Sequence, residues 1–177
     1  RTIAFCFKKI VYLSGKEPVE YEKDGEYTFL TILGIQDELQ TNVVETIVQL
    51  QKSDKQISLC TGDRYETAIY IADTLNILNT TISLNKPLYS SNITDKTFVF
   101  NSHDIEVALS NYRDMQMFRI FLLNSRNCIG YSLIPKDKQF ITNIFEGNGV
   151  NIISVGDGTN DIPMLKNATI GIGVKNG

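Results

Sequence analysis

The sequence predicts an α/β protein with a doubly wound, mostly parallel sheet. Three observations predict it. Short apolar runs alternate with amphipathic helical stretches from residue 27 onward, the pattern of βα units. Two of these runs, 57–60 and 150–155, end in a turn that carries Gly and Asp and opens a helix. The run Val150-Asn151-Ile152-Ile153-Ser154-Val155 reads as a buried strand, suited to the centre of a parallel sheet.

Taken in order, residues 2–11 alternate around Ile3, Phe5, Phe7 and Ile10 and predict a strand. Residues 14–26 are polar, carry Gly and Pro, and read as a linker. Residues 27–33 predict a strand broken by Gly34. Leu39, Val43, Val44, Ile47 and Leu50 mark one face of a helix, and 57–60 a strand. Residues 66–77 form an amphipathic helix with Ala68, Ile69, Ala72 and Leu75 inward. About fifteen residues after Thr80 are rich in Asn, Ser and Thr and predict an exposed loop or a cut insertion. Then follow a strand at 97–100, a helix at 104–112, a weaker strand at 127–133 and a helix at 136–145. The strand from Val150, a helix from Asp161 and a last strand at 169–174 complete the series.

Composition narrows the function. With 42% hydrophobic and 21% charged residues the chain is an ordinary globular type, and 177 residues suffice for one sizeable core. A net charge of −3 offers no broad basic surface, so no nucleic-acid partner is expected. Cys6, Cys60 and Cys128 lack metal-ligand spacing and a disulfide framework, and each reads as a small buried hydrophobe. His103 is the only histidine and reads as a surface or capping residue. Tyr89, Tyr112 and the Phe residues read as core or near-core aromatics. No run approaches the roughly 20 apolar residues that span a bilayer. The chain opens on Arg1 without methionine and stops on Gly177 just after a strand, so we expect both ends to be cuts through a longer protein.

The chemistry concentrates in the acidic turns. Val155-Gly156-Asp157-Gly158-Thr159-Asn160-Asp161-Ile162-Pro163 places two carboxylates and an amide at the carboxyl end of a strand, where open α/β sheets bind ligands. Gly156 and Gly158 suit a tight turn and close backbone approach. Asn160 or Asp161 can cap the next helix, with Pro163 in its first turn. Two hard oxygen ligands, Asp157 and Asp161, suit Mg²⁺ with a phosphate. Cys60-Thr61-Gly62-Asp63-Arg64 repeats the design: Thr61 offers a hydroxyl to a phosphoryl oxygen, and Asp63 a carboxylate to a metal-bound group or a ribose. Ile134-Pro135-Lys136-Asp137-Lys138 opens a helix with a lysine able to offset phosphoryl charge. Asp37 is either a third acidic neighbour or a helix cap.

These motifs resemble those of P-type ATPases, a branch of the haloacid-dehalogenase superfamily. Gly156-Asp157-Gly158-Thr159-Asn160-Asp161 looks like their hinge motif, Thr61-Gly62-Asp63 their second motif, and Ile134–Lys138 their third, with Lys138 at the lysine position. Ile35-Gln36-Asp37-Glu38-Leu39-Gln40 with Val44-Glu45-Thr46-Ile47, and Asp63-Arg64-Tyr65-Glu66-Thr67-Ala68-Ile69, resemble blocks of the class IV phospholipid flippases. Arg1-Thr2-Ile3 is similar to the segment that closes the nucleotide-binding domain.

The resemblance implies a haloacid-dehalogenase-like Rossmannoid phosphorylation domain at 27–177, after a remnant of the nucleotide-binding domain and a linker at 1–26. It implies the cytosolic face of a membrane, ATP and Mg²⁺ as ligand and cofactor, a phospholipid moved by membrane helices, and an accessory membrane subunit. By implication Asp157 ligates Mg²⁺, with Asp161 supporting it or holding the loop. Asn160 and Thr61 bond phosphoryl oxygens, and Lys138 offsets their charge. Gly62 and Asp63 face the nucleotide, and Arg1 its phosphates. In this family an aspartate in a "DKTGT" motif becomes phosphorylated, which splits one hard step into two. Asp95-Lys96-Thr97 precedes its strand and is rejected as that nucleophile, so the fragment is expected not to autophosphorylate. Three positions depart from the pattern: Ser132 where arginine is frequent, Arg64 for lysine, and Pro163 where flippases often carry serine. Alternatives are a flippase-like regulatory module, for example fused to a cyclase, a cation pump, and a free-standing phosphatase. The phosphatase would need an Asp-x-Asp that residues 32–37 lack.

Overall fold

The computed structural model describes residues 2–10, 26–35, 38–84 and 92–174. Arg1, Asp37, Tyr89 and most of the expected linker lie outside them. The chain divides into two compact units, Arg1–Gln40 and Thr41–Gly177.

The first unit is a ribbon. Strand β1 (Thr2–Phe7) pairs antiparallel with β2 (Thr28–Gly34), with a bulge between Phe5 and Cys6. Instead of entering a parallel sheet, β2 belongs with β1. Every residue of both strands is exposed. Two paired strands have no second layer to bury side chains against. Cys6, Phe5, Phe7 and Phe29, read from sequence as buried or near-core, are therefore at the surface.

The second unit holds helix α1 (Val43–Lys52), strand β3 (Ile57–Cys60), helix α2 (Tyr65–Thr74) and short strand β4 (Thr81–Ile82). Then come β5 (Thr97–Asn101), α3 (Ser102–Ser110), α4 (Tyr112–Asn124), β6 (Asn127–Tyr131) and α5 (Pro135–Gly147). β7 (Ile153–Gly156), α6 (Ile162–Asn167) and β8 (Ile170–Gly173) finish it. A four-stranded parallel sheet runs in the order β3-β6-β5-β4. This is the mixed α/β, parallel-sheet fold class that the strand–helix alternation predicts.

Alternation along the strands builds a core on both faces. Phe98, Phe100 and Cys128 join one cluster with Ile105, Phe118 and Leu122 from α3 and α4, and with Ile141 from α5. Val99 and Ile129 join the other with Ala68, Ala72 and Ile77, and Val43 and Ile47 of α1 pack against it. Successive strand residues point to opposite faces, so helices on both sides are what make the sheet doubly wound. The Phe98 and Phe100 rings stack at 4.9 Å, and Phe118 meets each edge-on at 5.3 and 5.1 Å. Burying each such ring contributes about 1.5–3 kcal/mol.

Three sequence expectations need correction. The helix at 104–112 is two helices: α3 ends at Ser110, and Asn111 caps α4 by accepting from Asp114 N–H at 2.8 Å. Tyr112 is 80% exposed because it sits on the outer side of that corner. The run from Val150 is not a buried central strand. β7 pairs only with β8 among the described residues, and Ile153 and Val155 are 67% and 57% exposed. Opposite them across the register lie Ile170 and Ile172, also exposed. The pair therefore presents a bare apolar face, with only Ser154 of β7 buried.

Candidate functional site

The carboxyl ends of β3 and β6 and the turn after β7 carry the chemistry. Beyond β3, Asp63 N–H donates to Thr61 Oγ1 at 3.0 Å, and that hydroxyl lies 3.2 Å from Asp63 Oδ2. The turn is thus closed by its own side chains, as Ser and Thr favour. It is tied to the next strand end. Thr61 N–H donates to Gly130 O at 2.9 Å, Leu133 N–H to Thr61 O at 3.0 Å, and Ser132 N–H to Asp63 O at 2.7 Å.

Beyond β7 the hinge turn passes through a 3₁₀ turn, Thr159–Asp161, into α6. Asp161 precedes α6 but makes no side-chain capping bond. Its carboxylate instead accepts from Lys138 Nζ at 2.7 Å, with the two side chains only 11% and 12% exposed. Lys138 reaches it from the first turn of α5, where Pro135 sets the helix start and Asp137 caps it by accepting from Ile134 N–H at 2.9 Å. Gly156 is required by this contact: a Cβ there would stand 2.5 Å from Asp161 Cβ. Gly158 has φ −119° and nothing closer than 3.8 Å to a Cβ, so the turn itself does not demand glycine there. Asp157 and Asn160 are exposed at the rim.

Electrostatics link these pieces. Burial pushes the Cys60 thiol up to about 11, with Lys138 pulling it down and Asp161 pushing it up. The end of β3 therefore shares the field of the ion pair. Cys128 is raised further, by burial first and then by Cys60. Neither thiol ionises near neutral pH, and both act as packing groups. His103 is on the surface in the first turn of α3, its Nδ1 3.5 Å from Glu106.

Of the residues singled out by sequence, Lys138 meets Asp161 directly, Thr61 meets Asp63, and Asn160 adjoins Asp161 on the same turn. Among the described residues no three His, Cys, Asp or Glu side chains group as a metal cage. That donor set fits Mg²⁺ held by one carboxylate plus phosphate oxygens and waters, and not a resident all-protein site. An ammonium has three donors and no acceptor. Lys138 can hold Asp161 and still donate to an anion. Sequence reasoning missed Ser102, whose hydroxyl donates to Ser132 O at 2.7 Å and also contacts Asp137. The signal was present: Phe100-Asn101-Ser102 ends a strand and opens a helix just as the two acidic turns do.

Residues 136–177 match the haloacid dehalogenase-like hydrolase family. The chain is 29% identical to Phospholipid-transporting ATPase 2 of Arabidopsis thaliana, over 82% of this chain and 15% of that protein. It is 28% identical to a Calcium-transporting ATPase of Plasmodium falciparum, over 97% of this chain and 14% of that protein. It is 27% identical to the Endoplasmic reticulum transmembrane helix translocase of Saccharomyces cerevisiae, over 100% of this chain and 17% of that protein. The chain thus spans about one-sixth of the length of the curated relatives it matches. Its homologues are P-type ATPases, and they include both phospholipid and calcium transporters. No helix among the described residues is long and apolar enough to cross a membrane.

Proposed function

We propose that this chain is the phosphoryl-handling part of an ATP-driven P-type transporter, of the phospholipid-transporting class, whose reaction passes through an aspartyl phosphate. The observation that carries this reading is the Lys138–Asp161 pair, 2.7 Å long and nearly buried, beside an exposed Asp157 at a strand end. A cation fixed by one carboxylate and a second carboxylate left at the rim are the parts needed to receive a phosphoryl group with Mg²⁺. Asp157 would hold Mg²⁺, which supplies charge neutralisation when bound. Lys138 would donate to a phosphoryl oxygen while Asp161 keeps its ammonium in place. Thr61 and Asn160 would donate to the remaining oxygens, and Asp63 would face the nucleotide side.

The nucleophilic aspartate would come from a segment outside the described residues. Two features support that. Among the described residues β3 pairs only with β6, and β7 only with β8, so one parallel strand could join the two sheets between them. Such a strand would also deliver its carboxyl end beside Thr61 and Asp157. The phospholipid class rests on the sequence blocks at 35–47 and 63–69. A cation transporter is the second reading, favoured by Pro163 and by calcium-transporting relatives of equal similarity.

The test uses the full-length polypeptide that contains this chain, reconstituted in vesicles. Vanadate-sensitive ATP hydrolysis stimulated by phospholipid, and abolished by Asp157→Asn, is the expected result. Stimulation by Ca²⁺ instead selects the cation reading. Vanadate-insensitive hydrolysis, or full activity in Asp157→Asn, refutes the site.

A further inference from the structure

We propose that Ser132 is a positioning residue. Its left-handed backbone clamps the 61–63 turn to the start of α5, and so holds Thr61 and Lys138 in one anion-facing arrangement. This rests on the phosphoryl-site reading above.

Ser132 has φ 49°, a left-handed conformation in a residue that carries a Cβ. Such residues persist only where the surroundings hold them, and they gather at functional sites. Here the surroundings are explicit. The N–H groups of Ser132 and Leu133 both donate to the 61–63 turn, at 2.7 and 3.0 Å. In an extended chain successive residues face opposite sides, so two consecutive donors cannot serve one turn. The left-handed residue reverses the chain and makes the double contact possible.

The carbonyl of Ser132 meanwhile accepts from Ser102 Oγ at 2.7 Å, and that hydroxyl also contacts Asp137, the cap of α5. One residue therefore joins the Thr61 turn to the helix that carries Lys138. The Ser132 side chain itself is exposed, and its hydroxyl stands 3.5 Å from Asp63 O, too far to matter. The backbone does the positioning.

Glycine adopts a left-handed φ freely, whereas a β-branched residue does not. Ser132→Gly should keep the clamp although it lacks the hydroxyl. Ser132→Thr should break it although it keeps the hydroxyl. The test uses the ¹⁵N-labelled chain, titrated with inorganic phosphate in the presence of Mg²⁺ and followed at the amides of Thr61, Lys138 and Asn160. Amide exchange of Ser132 and Leu133 and the melting temperature are read in parallel.

The expected result is a phosphate midpoint within about twofold of the parent for Ser132→Gly and weakened at least about fivefold for Ser132→Thr. A merely structural role would lower the melting temperature and leave a midpoint measured well below it unchanged. Loss in Ser132→Gly with retention in Ser132→Thr would make the hydroxyl the active group and overturn the clamp. Equal midpoints in all three chains would overturn it as well. If phosphate perturbs none of these amides in the parent, the phosphoryl-site reading fails. Amide exchange then judges the clamp alone, and unprotected Ser132 and Leu133 amides in the parent would refute it.

Discussion

A methyl group added at Gly156 would stand 2.5 Å from Asp161 Cβ and 2.9 Å from its Cγ and Oδ2. Ordinary contact begins at 3.4 Å, so Asp161 must retreat by about 0.9 Å. Its carboxylate is held by Lys138 at 2.7 Å, and a retreat of that size stretches the pair to about 3.6 Å. At an effective dielectric of about 20 the attraction falls from about 6.1 to about 4.6 kcal/mol, a loss of about 1.5 kcal/mol. Overpacking adds about 1–3 kcal/mol. Gly156→Ala should therefore destabilise the chain by about 2.5–4.5 kcal/mol. Urea unfolding followed by far-UV circular dichroism measures it, since the chain has no tryptophan. The control is the same change in an Asp161→Gly background, which removes all three clashing atoms. There the methyl should cost less than about 1 kcal/mol. An equal cost in both backgrounds, or a cost below about 1 kcal/mol in the parent, would show that Gly156 is not fixed by Asp161.

Lys138→Met leaves the Asp161 carboxylate nearly buried without its cation and should cost about 3–5 kcal/mol in the same urea assay. A cost near zero would mean that the pair is solvated. The thiols give a pH-dependent prediction. Cys60 holds its proton to about 11 in the folded chain, against 9.0 in the unfolded one. Its contribution to stability is therefore present below pH 9 and is lost as the pH rises from 9 to 11. That loss is on the order of 3 kcal/mol, and Cys128 acts in the same direction. Cys60→Ala should flatten this fall. At pH 8 iodoacetamide should label the exposed Cys6 first, and labelling of native Cys60 at a comparable rate would contradict its half-buried, protonated state.

What the sequence made legible follows from local pattern. Ala68 and Ala72 of α2 and Leu75 at its C-terminal cap face inward as their helical spacing predicts, and the strands at 57–60 and 97–100 stand almost where apolar runs place them. Lys138 and Asp161 lie 23 residues apart, and only the shared motif pattern suggested their meeting. The failures are non-local or junctional. α4 was hidden because one residue, Asn111, ends α3 and caps the next helix. The hydrophobic phase therefore breaks without a Gly or Pro to mark it. The left-handed backbone of Ser132 shows nothing in sequence, because in serine it is imposed by partners at Thr61, Asp63 and Ser102.

The exposure of β7 bears directly on the proposed function. β6, bonded on both sides, is buried from Asn127 to Gly130. β7 is just as apolar, yet it exposes Ile153 and Val155 and, among the described residues, is bonded on one side only. Strands rich in Val and Ile suit positions covered on both faces and paired at both edges. An exposed edge of that kind also invites wrong pairing. Under the proposed function, the mismatch between the composition of β7 and its surroundings is met by a neighbour outside the described residues. β3 presents the complementary open edge, beside the Thr61 turn. One parallel strand would satisfy both edges, cover apolar surface and end among Thr61, Lys138 and Asp157. Under the proposed function a single segment outside the described residues would supply both the nucleophile and the strand that joins β3 to β7.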